Sequence, residues 1–169
     1  MHSPRYLPTP DTTTMIDARQ SQQRALAEAD AWASSEGERH MLIGLLTWLT
    51  ATGRLRHATH VALEVPWRGR RIDAATINSK SVSCAFELKR DASQRAFEQA
   101  VYNRLSFDRS FVVVPTCPTP TTLDLADELS IGVLQINGTA RLWRAPGLPS
   151  THAFDRAAVR EAIRRAALR

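Results

Sequence analysis

The chain has 169 residues, 43% of them hydrophobic, and carries 22 Lys plus Arg against 17 Asp plus Glu, a net charge of +5. One domain of ordinary size can bury a real core at this length, and no apolar run approaches the roughly 18 residues of a membrane helix, so no membrane span is expected. The basic balance, nearly all of it Arg, suits a polyanionic partner such as nucleic acid, although a merely basic soluble protein would carry the same charge.

Residues 1–14, with Pro4, Pro8 and Pro10, read as an irregular N-terminal arm ahead of a single domain over 15–169. The arm lacks the apolar core of a secretion signal, which makes a cytoplasmic location the expectation. Met15 to Trp32 has the composition of a surface helix. Ser35-Glu36-Gly37-Glu38 matches a capping box before the apolar run Met41 to Leu49, with Gly53 as the stop. Glu38 shares a stripe with Leu42, Leu45 and Leu49, so it is either a capping carboxylate or a carboxylate delivered to a site.

Val61 to Val65 reads as a short strand ending at Pro66, with Val61, Leu63 and Val65 on one face and Glu64 on the other. Trp67-Arg68-Gly69-Arg70 is a turn into a β-prone run, Arg70 to Ile77, and Asn78 to Ser81 is a second turn before the run Val82 to Leu88. A helix follows from about Gln94 to Phe107, with Phe97, Ala100, Val101 and Leu105 at helical spacing and Gln99 and Tyr102 three apart. Ser110 to Val114 looks like a buried parallel strand, Leu123 to Leu129 a short helix, and Ile131 to Trp143 a hairpin turning at Asn137-Gly138. The tail from Phe154 to Leu168 is a helix with Arg156, Arg160 and Arg164 aligned, either a phosphate grip or a solvated face. The order predicts an α/β fold, a mixed central sheet flanked by helices.

Side chains alternate along a strand, so Glu87 and Lys89 share one face while Val82, Cys84, Phe86 and Leu88 share the other. With Asp73 on the preceding strand, the charged face suits a divalent cation beside a phosphate. Mg²⁺ or Mn²⁺ would take Asp73 and Glu87 as oxygen ligands, and Lys89 would stabilise developing phosphorane charge or orient the attacking water. An isolated E-x-K triplet more often marks a solvated strand face; the order strand, turn, strand, helix gives it weight here. Cys84 and Cys117, the only cysteines, and the scattered His40, His57, His60 and His152 lack ligand spacing. Trp67, beside two Arg, is the best base-stacking exception among tryptophans that otherwise read as core or rim.

In this order the residues resemble the PD-(D/E)xK nuclease superfamily, over about Ser35 to Trp143. The resemblance implies a restriction-endonuclease-like core, a mixed sheet between helices with the motif on a central hairpin. It implies that Asp73, Glu87 and Lys89 are catalytic, with Asp73 and Glu87 as metal ligands and Glu38 in the place of the first-helix Glu that many members add. Ile72 stands where the motif's Pro would be. Gln99 and Tyr102 look like the Q-x-x-x-Y element of one branch, one residue shorter. The function implied is an Mg²⁺-dependent endo- or exodeoxyribonuclease of small stand-alone repair type, in DNA repair, recombination or defence. DNA would then meet Arg68, Arg70, Arg71, Gln99 and Tyr102, and a nuclease cutting two strands would suit a homodimer or larger protein complex. The alternatives are a catalytically inactive DNA-binding or complex-assembly protein on the same fold, and an unrelated α/β protein with a surface E-x-K.

Overall fold

The computed structural model describes residues 36–52, 58–147 and 155–167, together with positions 20, 23–25 and 27 of an earlier helical segment. The N-terminal arm, Ser35 of the capping box and the Gly53 stop lie outside the described residues. The elements are helix α1 (Glu36–Ala51), strands β1 (Ala58–Trp67), β2 (Arg70–Asn78) and β3 (Ser83–Leu88), and helix α2 (Gln94–Arg104). Strand β4 (Arg109–Val114), helix α3 (Pro120–Leu129), strands β5 (Gly132–Asn137) and β6 (Thr139–Arg144), and helix α4 (Arg156–Ala167) complete them.

The strands form one six-stranded sheet in sequence order, β1 to β6. β1, β2 and β3 are antiparallel neighbours, β3, β4 and β5 are parallel, and β6 returns antiparallel to β5. The α/β mixed sheet flanked by helices is therefore present, with the Asp73–Lys89 stretch on a hairpin inside it. Parallel strands need crossovers, which α2 and α3 supply; the antiparallel pairs close through tight turns. One is the two-residue loop Arg68-Gly69, both with positive φ (47° and 74°) as such hairpins require. At the next, Asn78 accepts from the Lys80 and Val82 amides with its side-chain oxygen, 3.0 and 2.8 Å, and Ser81 has φ 60°.

Alternation sends side chains to two cores. Phe86, Leu88, Phe111, Val113, Leu134 and Ile136 face α1, where Leu42, Leu45 and Leu49 cover them. Val112, Val114 and Val133 face α2 and α3 on the other side, and next to them Ala75, Ile77 and Ala85 are covered by Val159 and Ile163 of α4. β4 is buried on both faces, which explains its unbroken apolar run. Phe111 stacks on Phe86 with centroids 4.8 Å apart, and Gly132 makes room for that ring: a Cβ there would meet Phe111 at 2.3 Å.

Three expectations need correction. β1 does not stop at Pro66 but continues to Trp67; it is an edge strand of the sheet, where a missing N–H is tolerated. Val65 does not share a face with Val61 and Leu63. It packs with Ile72 in the α4 core, because Glu64 adopts φ 51° and turns the strand over between them. α2 ends at Arg104, leaving Leu105 45% exposed, while Phe107 is buried against α4.

The α4 arginines divide: Arg156 and Arg160 turn inward, whereas Arg164 and Arg165 lie on the solvated face. Arg156 Nε lies 3.3 Å and Arg160 Nη2 4.0 Å from the carboxylate of Asp108, which is 3% exposed, and Arg164 and Arg165 pair with Glu161. Asp108 also accepts from the Ser83 amide and hydroxyl, at 2.8 and 3.0 Å. A buried carboxylate requires this much pairing, so these contacts bind α4 to the sheet.

Candidate active site

The site forms where β2 parts from β3. The antiparallel ladder between them runs from Ile77 opposite Ser83 to Ala74 opposite Phe86. The next position in that register sets Asp73 opposite Glu87. There the Asp73 side chain takes over from the ladder, and its Oδ2 accepts the Leu88 amide at 2.8 Å. β3 stays attached on its other edge, where the Lys89 amide donates to the Val113 carbonyl at 2.9 Å. On the β1 side, Leu63 pairs with Ala74 and Val65 with Ile72, which sets Asp73 across from Glu64, the left-handed position that turns β1 over. A strained backbone position and a diverging strand pair thus coincide at Asp73.

Glu87 alternates to the face away from Phe86 and Leu88 and meets α2. Its Oε1 accepts from Asn103 Nδ2 at 2.7 Å, and its side chain is 2% exposed. Lys89 sits over both carboxylates, Nζ 3.5 Å from Asp73 Oδ2 and 3.2 Å from Glu87 Oε2, with 29% of its side chain exposed. Asp73, 18% exposed, is the outermost carboxylate of the pair. Burial pushes its carboxyl up to about 6 from 3.8, and the Glu87 charge adds to the rise; Lys89 and the Leu88 amide oppose it. One face therefore holds two acidic side chains, a single ammonium between them and an opening to solvent.

The structure brings Asp73, Glu87 and Lys89 together. It does not bring Glu38 to them: Glu38 is half-buried on α1, which covers the opposite face of the sheet, and among the described residues no group of three or more His, Cys, Asp or Glu side chains has metal-binding spacing. Gln99 lies on α2 one turn before Asn103, with its Oε1 buried and unbonded. Tyr102 is 56% exposed and stands under the Arg70 guanidinium, 5.2 Å from ring centroid to Cζ. Arg68 pairs with Asp155 and Arg71 with Glu64, and the Glu64 contact raises the Arg71 guanidinium further above its ordinary value. Trp67 is half-buried against the α4 core, with Arg68 5.8 Å above its ring.

Asn103 is the residue that sequence reading missed. The signal was present, since positions four apart share a helix face and Asn103 lies four after Gln99. The position three after Gln99, Tyr102, points outward instead.

Among the described residues, the carboxylates on this face that could hold a cation are Asp73 and Glu87. Two hard carboxylates, one of them kept from ionising easily by burial and a like charge, suit a small divalent ion that retains most of its water. They are too few for an ion that demands a full protein cage.

No family model matches this chain, and no curated protein does either. Among solved structures, the chain is similar to a protein of unknown function from Silicibacter pomeroyi, at 22% identity and a TM-score of 0.55, covering 80% of this chain and 86% of that one. It is also similar to a repair endonuclease from Pyrococcus abyssi, at 15% identity and a TM-score of 0.42, covering 69% of this chain and 49% of that one. The second likeness is too distant to carry an argument. What the first establishes is the fold: an α/β chain with a mixed sheet between helices, shared with the Silicibacter pomeroyi protein.

Proposed function

We propose that the chain is a metal-dependent deoxyribonuclease, hydrolysing DNA phosphodiester bonds with Mg²⁺ or Mn²⁺ held by Asp73 and Glu87. One observation carries this reading: Lys89 Nζ lies within 3.5 Å of Asp73 and 3.2 Å of Glu87 at the point where their strands separate. When bound, the ion would polarise the phosphodiester and acidify a water. The chain's own residues do the rest. Asn103 fixes the Glu87 carboxylate, the Leu88 amide fixes Asp73, and the Lys89 ammonium stands ready for the charge that gathers on the phosphorus oxygens. DNA is the preferred polyanion because of the +5 balance and the resemblance in motif order.

A catalytically inactive DNA-binding or assembly protein is the second reading, favoured by the same lysine: Lys89 bridges both carboxylates, so the three charges can satisfy one another without a metal. Calorimetric titration of Mn²⁺ into the metal-free chain separates the two. Saturable binding, abolished in Glu87→Gln, supports the nuclease; no binding in the wild-type chain supports the second reading.

A further inference from the structure

We propose that the substrate is DNA with an unpaired strand or end, and that an unpaired base beside the cut phosphate lies against Tyr102 in the groove between α2 and α3. The inference rests on the reading of this site as a DNA site and adds the class of DNA.

The groove has a volume of about 730 Å³. Phe97, Val101, Leu125 and Leu129 form its apolar walls, and Tyr102 stands at its edge. That volume lies within the range of about 300–1,000 Å³ typical of small-molecule sites. The groove and the candidate active site share one helix. On α2, Asn103 reaches Glu87 while its neighbour Tyr102 lines the groove.

Glu98, which lines the groove, disfavours a phosphate inside it, and the charges at the β1–β2 turn fit a base with its phosphate outside. A duplex is gripped by rows of cations, each neutralising a phosphate. Of the three arginines at the β1–β2 turn, Arg68 and Arg71 are already paired with Asp155 and Glu64. Arg70 has no carboxylate partner among the described residues, and its guanidinium lies over the Tyr102 ring, 5.2 Å from the centroid. Arg70 over an exposed aromatic ring, at an apolar groove, matches one phosphate and the base attached to it, the combination used by single-strand binders.

Fluorescence anisotropy with chelator present tests this, using a single strand, a blunt duplex and 3′- and 5′-tailed duplexes of the same sequence. The wild-type chain should bind the single strand or a tailed duplex about tenfold more tightly than the blunt one. Tyr102→Ala, and Leu125→Trp, which fills the groove, should each remove most of that preference, and Tyr102→Phe should keep it. The exposed position of Tyr102 lets its variants fold even if Leu125→Trp does not. Equal or tighter binding of the blunt duplex, no binding of any DNA, or a preference unchanged in Tyr102→Ala would overturn the proposal. Cleavage in Mg²⁺ is scored separately. Intact preference without cleavage contradicts only the hydrolase reading, and cleavage without preference contradicts only this one.

Discussion

Asn103 Nδ2 donates to Glu87 Oε1 at 2.7 Å, and both side chains are buried, at 4% and 2% exposure. Asn103→Leu would keep the volume and remove the donor, leaving a carboxylate oxygen in the interior without a partner. The expected loss is roughly 2–3 kcal/mol of stability, measured by urea denaturation. Asn103→Gln retains a donor, and a smaller loss is expected from it. Equal losses in the two variants would show that packing, not the hydrogen bond, matters at this position.

The Asp73 carboxyl stands at about 6 in the folded chain against 3.8 unfolded, raised first by burial and then by Glu87. A raised acid binds its proton more tightly when folded. Its penalty is therefore absent below about pH 4, grows as pH rises through the interval, and is complete above about pH 6. In the metal-free chain, Asp73→Asn should raise stability by roughly 2–3 kcal/mol at pH 7.5 and leave it nearly unchanged at pH 3.5. Melting curves at the two pH values check this, and a gain of the same size at both would contradict it.

These two residues also show what the sequence could reveal. Asp73, Glu87 and Lys89 were legible because strand alternation and a turn between two β-prone runs fix which side chains share a face. The fold was legible for the same reason: apolar periodicity and turn residues mark nearly every described element. For Asn103 only the helix face was legible, four residues after Gln99; its bond to Glu87 depends on how α2 packs against the sheet. The overturned face of Val65 was hidden because it depends on Glu64 adopting a left-handed backbone, which no local residue preference favours. The inward turn of Arg156 and Arg160 was hidden because it depends on Asp108, distant in sequence and fixed only by the assembled sheet.

Asp108 joins the Ser83 amide to two arginines of α4. Asp108→Ala would strand those cations, partly exposed though they are, and should cost about 2–4 kcal/mol. Hydrogen exchange should show the loss first in α4, ahead of β4 and β5. Uniform loss across all elements would show that α4 is not held separately by this contact.

Gly132 lies against the Phe111 ring, where a Cβ would come within 2.3 Å. Gly132→Ala must push the ring from its stack on Phe86 and should destabilise the chain by about 1–3 kcal/mol. Adding Phe111→Leu should recover part of the loss, which a double-mutant cycle in urea would measure.

The most direct measurement is hydrolysis of end-labelled DNA, single-stranded and tailed, by the wild-type chain, Asp73→Asn and Lys89→Ala in Mg²⁺ and in chelator. Cleavage in Mg²⁺ only, reduced at least about a hundredfold by either substitution in chains that still fold, is the predicted result. Cleavage that persists in chelator or in Asp73→Asn, or no cleavage of any DNA by the wild-type chain, would contradict the account.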